Sequence, residues 1–252
     1  MGISRKSISA DFFENEKHEV IMKIYHYETL PSTNAEAKRM ILDGVREGVL
    51  LADRQTAGRG RLGRSFFSEN GIFMSMIVSP EKLPFDPGFL TSAVAAATCR
   101  AITEKGFSVG IKWVNDIYLR GKKICGILAE AVSMGTDTLA YVVGIGINIG
   151  ESEFPEEIRE IADTLLLSEE EKNDLFFRLI SHMEAVLNEN QETTLNYLKE
   201  KSVVLGKTIR FYGAKDGEGL AIDLDKNGGL VVLTAENEKK ILTGGEISVR
   251  TK

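Results

Sequence analysis

Apolar residues recur along this chain with two periods, and the order in which the periods alternate outlines the fold. Val20 to Tyr27 has strand composition, rich in β-branched and aromatic residues. After Pro31-Ser32-Thr33-Asn34, the run A-E-A-K-R-M-I-L places its apolar residues at helical spacing. Ser32 or Thr33 is a good N-cap, Glu36 follows three or four positions on, and Gly44 is a plausible stop. Val49 to Asp53 reads as a strand, and Gly71 to Ser79 alternates apolar and small residues as a half-buried strand should. Gly88 to Thr103 is Ala-rich and helical. Val109 to Val114 and Ile117 to Leu119 are short strands about an Asn115-Asp116 turn, and Arg120 to Lys123 form a hairpin tip. Ile124 to Val132 continues as a strand, and Tyr141 to Ile149 is a near-continuous apolar run suited to a sheet centre.

Residues 151–174 carry ten acids against two basic residues and read as a solvated helical face with its approaches. Leu175 to Leu187 and Thr193 to Lys201 are helical. From about Leu205 the period becomes that of short strands: K-T-I-R-F-Y, G-L-A-I-D-L, G-L-V-V-L-T, K-K-I-L and E-I-S-V-R, separated by Asp216-Gly217, Asn227-Gly228-Gly229 and Gly244-Gly245. Five such strands in some fifty residues point to a small SH3-like barrel. The expected organisation is an α+β chain: a weakly patterned lead-in over residues 1–19, a catalytic domain over 20–203 and a small β domain over 204–252.

Composition narrows the function. At 252 residues, with 43% hydrophobic and 27% charged content, the chain is an ordinary globular one. A net charge of −6 argues against general nucleic-acid binding. Cys99 and Cys125 give neither a disulfide framework nor a metal cluster, and suit a reducing cytoplasm. No apolar run is long enough to span a bilayer, and no signal-peptide h-region is seen, so a cytoplasmic location is expected and no membrane partner.

Against this acidic background, Thr56 to Arg64 concentrates Gly58, Gly60 and Gly63 with Arg59, Arg61 and Arg64. Glycine lets backbone amides approach a ligand, and arginine offers a planar fork to carboxylate or phosphate. The spacing fits neither a Walker loop nor a Rossmann fingerprint. With almost no apolar side chains, the loop is expected to be mobile until an anion orders it. A second constellation is Lys112-Trp113-Val114-Asn115-Asp116 followed by Lys122-Lys123-Ile124-Cys125-Gly126. Gly144 and Gly146 lie two apart on one strand face, leaving room for a ligand or another backbone. Taken alone, S-T-N is a helix cap, Asn115-Asp116 a turn and Lys122-Lys123 a solvated tip. Together they supply cations for phosphate and carboxylate, one carboxylate for a metal, and clearance.

In this combination the sequence resembles the biotin–protein ligases, in their short class without an N-terminal DNA-binding helix-turn-helix. The motifs that carry the resemblance are S-T-N at 32–34, Q-T-A-G-R-G-R-L-G-R at 55–64, K-W-V-N-D at 112–116, K-K-I-C-G-I-L at 122–128, G-I-G-I-N at 144–148 and G-G-E-I-S-V-R at 244–250. The resemblance implies a mixed-sheet catalytic domain of the biotin/lipoate ligase type with a C-terminal SH3-like domain. It implies two-step chemistry: biotin and Mg-ATP give biotinyl-5′-adenylate, and a lysine of a biotin carboxyl carrier domain then takes the biotin.

By matching position, the resemblance places Ser32, Thr33, Asn34, Gln55, Gly58, Arg59, Gly60, Arg61, Lys123, Gly126 and Gly144 at biotin. It places Arg59, Arg61, Phe66, Lys112, Asn115, Asp116, Asn148 and Arg250 at ATP, with Asp116 also toward Mg²⁺. Lys123, Arg61 and Asp116 are the expected catalytic residues. Two departures stand out: Phe66-Phe67 where relatives commonly carry an adenine-stacking tryptophan, and Val114 where proline is usual. Two other readings stay open on sequence: a non-catalytic binder of biotinyl-adenylate that docks a partner through the barrel, and a lipoate-handling relative, against which the Gly/Arg loop speaks.

Overall fold

The computed structural model describes residues 22–66, 70–151, 153–212, 216–244 and 248–251. The expected lead-in over 1–19, Phe67, Gly245 and the Arg250 side chain lie outside what it describes.

Seven strands form one mixed sheet: β1 (Ile24–Leu30), β2 (Gly48–Gln55), β3 (Gly71–Val78), β4 (Val109–Lys112), β5 (Asp116–Leu119), β6 (Lys122–Met134) and β7 (Asp137–Asn148), in the order β1-β2-β3-β7-β6-β5-β4. Among the described residues of this sheet only β1 and β2 pair in parallel as strands, joined by the crossover helix α1 (Thr33–Leu42). Ser32 caps α1 by accepting from Ala35 N at 3.4 Å, and Gly44 follows the helix at φ +98°. Glu36 does not complete a capping box. Its carboxylate is held instead by Arg39 at 2.8 Å and by the Tyr27 hydroxyl at 3.3 Å.

Helices cover both faces of the sheet. Ala37, Met40 and Ile41 of α1 bury with Leu50, Ile77 and Val142 on one face. On the other, α2 (Leu90–Glu104), α4 (Glu169–Val186) and α5 (Gln191–Lys201) bury Val94, Ile102, Leu175, Ile180 and Leu198 with Met74, Val143, Ile145 and Ile127. The half-buried strand expected at Gly71 to Ser79 is therefore wrong: all eight residues of β3 are buried, because the strand is sandwiched. A short helix, α3 (Glu156–Arg159), lies in the acid-rich stretch.

One irregularity in β6 matters for the site. Asp116 and Ile117 pair with Gly126 and Cys125, but Tyr118 and Leu119 pair with Lys123 and Lys122, so Ile124 is an extra residue in the ladder. Such a bulge shifts the alternation of side chains by one. Cys125 and Ile127 face the helical core; without the bulge Lys123 would share their face.

Strands β8 (Thr208–Tyr212), β9 (Gly217–Leu224), β10 (Leu230–Leu233), β11 (Lys239–Leu242) and β12 (Ser248–Thr251) make a second, antiparallel sheet in the order β11-β10-β9-β8-β12. It is SH3-like, though among the described residues β11 and β12 leave the ladder open. It is not a loose appendage. Leu230 and Val232 share the core of α2, and Trp113 Nε1 donates to Gly228 O at 2.9 Å.

Candidate active site

On the face of the sheet that α1 covers, three glycines form a floor. Gly144 and Gly146 of β7 are two apart, and Gly126 of β6 pairs directly with Gly146. The clearance that these glycines give is filled. A Cβ on Gly144 would collide with the amide of Asn34, and one on Gly146 would lie 2.5 Å from Phe66 Cε1. At Gly126 it would meet Lys123 Nζ at 3.1 Å and the Phe66 ring at 3.3 Å.

At the α1 end of this floor the polar groups are tightly connected. Thr33 N donates to Gln55 Oε1 at 2.8 Å, and because a backbone N–H can only donate, it fixes which way the Gln55 amide faces. Asn34 Nδ2 donates to Glu130 Oε2 at 2.9 Å, and Lys38 bonds the other carboxylate oxygen at 2.6 Å. Asn34 Oδ1 thus faces the fully buried Ser75 Oγ, 2.6 Å away, and accepts a hydrogen bond from it. Ser75 Oγ also lies 2.7 Å from Thr33 Oγ1, which is 3.1 Å from Gln55 Oε1. The result is a cradle of fixed donors and acceptors at the start of α1, where helix N–H groups also point outward.

At the other end the groups are charged. Lys123 Nζ lies 2.7 Å from Asp116 Oδ1, an oxygen that is buried without a well-aligned hydrogen bond. The contact is an ion pair. Lys112 pairs with Asp116 across β4 and β5, and its Nζ reaches the Tyr118 hydroxyl at 3.1 Å. Burial, followed by the Asp116 carboxylate, pushes the Tyr118 phenol up, while Lys123 draws it down. Arg61 Nη1 donates to Asn115 Oδ1 at 2.9 Å, and Asn115 Nδ2 donates to Ile127 O at 3.0 Å. Burial lowers the Arg61 pKa from its ordinary value, opposed by Asp116 and assisted by Arg64.

The Gly/Arg loop between these clusters has more structure than its composition suggests. Gly60 N donates to Arg64 O at 2.7 Å, Phe66 N donates to Gly58 O at 2.9 Å, and Arg59 and Ser65 form a bridge. Arg59 and Arg64 are exposed, and of the three arginines Arg61 is the one tied to the strand ends. Phe66 anchors the loop by lying on the glycines and meeting Phe73 edge-on, with ring centroids 6.4 Å apart. This apolar anchor lies just past residues 56–64, whose own composition does not disclose it.

The chain is similar to known proteins over both of its sheets. A model of the biotin/lipoate A/B protein ligase family matches residues 27–148, and one of the biotin protein ligase C-terminal domain matches 204–250. The bifunctional ligase/repressor BirA of Bacillus subtilis is 34% identical over 86% of this chain and 71% of its own length. The biotin–[acetyl-CoA-carboxylase] ligase of Mycobacterium tuberculosis is 30% identical over 86% of this chain and 85% of its own. This chain belongs to the biotin protein ligase family. Among solved structures, the biotin protein ligase of Aquifex aeolicus in complex with biotin and ATP aligns with TM-score 0.79 and 27% identity, over 91% of this chain and 99% of that one.

Within the family frame, most residues singled out from sequence converge on one face. Ser32, Thr33, Asn34 and Gln55 meet at the polar end, and Arg61, Lys112, Asn115, Asp116 and Lys123 at the charged end, with Phe66, Gly126 and Gly144 between. Gly58 is buried and Gly60 half-buried in the loop. Asn148 lies at the end of β7, where its Nδ2 donates to Asp163 O at 3.1 Å. Three residues at the site escaped the sequence reading. Ser75 is the one hydroxyl in an otherwise apolar stretch, and Glu130 shares the face of Gly126 at strand spacing. Tyr118 stands two residues from Asp116, on its face.

Proposed function

We propose that this chain is a biotin–protein ligase: it activates biotin with ATP and passes it to a lysine of a biotin carboxyl carrier domain. The observation that carries the reading is the pairing of two unlike clusters across one glycine floor. The Thr33–Asn34–Gln55–Ser75 cradle suits a neutral, multiply hydrogen-bonding head group. The Lys123–Asp116–Arg61 cluster suits a carboxylate meeting a phosphate.

In the first step a biotin carboxylate oxygen bonds to the α-phosphorus of ATP as the bond to pyrophosphate breaks. Two anions must approach, and Lys123 and Arg61 offset their repulsion and the charge that develops on phosphorus-bound oxygen. In the second step the carrier lysine amine bonds to the acyl carbon, and AMP leaves with the electron pair of the anhydride bond. No side chain here has to act as a covalent nucleophile. Arg59, Gly58 and Gly60 supply the loop that keeps water from the anhydride between the steps. Asn115 and Asp116 set the phosphate side with Lys112, while Arg250 remains a candidate for the nucleotide.

Mg²⁺ fits this site only as a companion of ATP. Among the described residues no group of three or more His, Cys, Asp or Glu side chains could cage a metal. Asp116 offers a single carboxylate, already paired with Lys123 at 2.7 Å, and a phosphate-bound Mg²⁺ takes one or two carboxylates from the protein, so this carboxylate would be shared between the two cations. When bound, the ion neutralises phosphate charge.

Among the described residues no helix is long and apolar enough to cross a membrane. Cys99 and Cys125 are both buried and free, which supports the cytoplasmic location we propose. Mass spectrometry of a carrier domain incubated with this protein, biotin and ATP tests the function. A mass increase of one biotinyl group on one lysine is expected. Adenylate accumulation without transfer would favour a binding role, and no ATP-dependent change at all would overturn the reading.

A further inference from the structure

Glu130 stands on the same face of β6 as Gly126 and takes part in neither chemical step. Two residues one helical turn apart on α1 reach it. Asn34 Nδ2 donates to Glu130 Oε2 at 2.9 Å, and Lys38 Nζ donates to Oε1 at 2.6 Å. The carboxylate is thus a clamp between helix and sheet, with one oxygen given to each side chain.

What it clamps is an amide whose hydrogens are all accounted for. Asn34 is 7% exposed, and its amide fills the space above Gly144. Of the two Nδ2 hydrogens one goes to Glu130 and the other to Leu128 O, at the longer distance of 3.3 Å. Oδ1 then faces Ser75 Oγ at 2.6 Å. An amide oxygen has no hydrogen to give, so the single Ser75 proton lies on that line. Ser75 Oγ is left with lone pairs alone toward Thr33 Oγ1, 2.7 Å away, and Gln55 Oε1 is a second acceptor at 3.1 Å from the same hydroxyl. The Thr33 proton therefore goes to one of these two protein oxygens. What Thr33 offers a ligand is an acceptor.

Turning the Asn34 amide over would reverse this order. Ser75 would then face an N–H, direct its own proton to Thr33 Oγ1 and occupy the lone pair meant for the ligand. Glu130 and Leu128 O oppose that turn, and the Glu130 contact is the shorter one and is strengthened by charge.

We propose that Glu130, held by Lys38, is a positioning residue for recognition of the biotin head group: it fixes the Asn34 amide and, through Ser75, keeps Thr33 an acceptor for a ligand N–H. This inference rests on the ligase reading above. The cyclic urea of biotin carries N–H donors of this kind. A site whose polar groups are already set in the complementary sense loses nothing in ordering them when the ligand arrives. A head group presenting only acceptors would bring two oxygens together with no proton between them. The role belongs to ground-state binding of biotin and leaves ATP untouched.

Biotin affinity is measured by calorimetry without ATP for the full chain and for Glu130→Ala, Glu130→Gln, Ser75→Ala and the double variant Glu130→Ala with Ser75→Ala. KM for ATP at saturating biotin and thermal unfolding are recorded alongside. Glu130→Ala should weaken biotin binding roughly 10- to 30-fold, with KM for ATP within about twofold. Glu130→Gln keeps an oxygen that can accept from Asn34 and should stay within about threefold of wild type, although it gives up the ion pair with Lys38. Ser75→Ala cuts the relay, so adding Glu130→Ala to it should cost less than about twofold more. Unchanged affinity in Glu130→Ala would overturn the proposal. So would a Glu130→Gln variant as weak as Glu130→Ala, or effects that multiply in the double variant. If Ser75→Ala fails to fold, the contrast between Glu130→Ala and Glu130→Gln decides alone. Wild-type protein that binds no biotin would instead remove the ligase reading itself.

Discussion

The ring of Phe66 lies 2.5 Å from the point where a Cβ on Gly146 would stand, so the glycine and the ring are fitted to each other. Gly146→Ala should push the ring off the floor and forfeit its edge contact with Phe73. Limited proteolysis should then cut the ligand-free protein between Arg59 and Arg64 several-fold faster than wild type. Phe66→Ala should do the same, and the pair together should add little. In wild type, biotin plus ATP should suppress the cut. Equal cleavage in all variants, with and without ligands, would show that the ring does not anchor the loop.

Arg61 is the loop arginine joined to the strand ends, through Asn115 Oδ1 at 2.9 Å. Arg61→Gly removes both the tether and the charge beside the anhydride. Biotinyl-adenylate should then escape and modify lysines of bystander proteins such as albumin, which wild-type protein should leave unmodified. A variant that retains its adenylate and still modifies only the carrier domain would count against this role.

Asp174 gives a prediction about pH. Burial raises its pKa, but hydrogen bonds from Arg178 Nε at 2.7 Å and Lys105 Nζ at 3.0 Å outweigh it and hold the carboxyl well below the usual carboxylate range. A depressed folded-state pKa stabilises the fold at neutral pH, and that stability is lost as pH falls below the unfolded value of about 3.9. Asp174→Asn should therefore cost on the order of 1–2 kcal/mol in urea unfolding at pH 7. The gap to wild type should narrow steadily between about pH 4 and pH 2. A gap independent of pH would mean that the pair contributes nothing through charge.

Much of this arrangement could be read from the chain because it is written in side chains at short range. The Ser32 cap, the apolar run of β7 and the paired glycines of G-I-G-I-N each follow from local chemistry. What the sequence did not disclose depends on partners far along the chain. The burial of β3 on both faces follows from helices docking on opposite sides of the sheet. Ser75 gains its meaning from Thr33 and Asn34, and Phe66 from the glycines it covers. Ile161 and Asp163 bind the backbone of Lys123 through main-chain groups alone, and main-chain hydrogen bonds leave no mark on residue type.

The bulge at Ile124 makes the sharpest test, since it decides which of two adjacent lysines serves the reaction. Counting alternate residues back from Gly126, which faces the floor, would select Ile124 and Lys122. With Ile124 as the extra residue, Lys123 takes that face instead: its Nζ lies 2.7 Å from Asp116, whereas Lys122 Nζ turns to Arg159 O at 3.2 Å. A preorganised cation at developing phosphate charge is commonly worth about 10²–10³ in rate. Lys123→Ala should thus slow adenylation by about that factor and weaken ATP binding far less, because the interaction is strongest in the transition state. Lys122→Ala should remain within about twofold of wild type, its exposed contact being worth little. Pre-steady-state pyrophosphate release separates the two variants. A damaging Lys122→Ala beside a nearly silent Lys123→Ala would mean that the register through the bulge, and with it the catalytic assignment, is wrong.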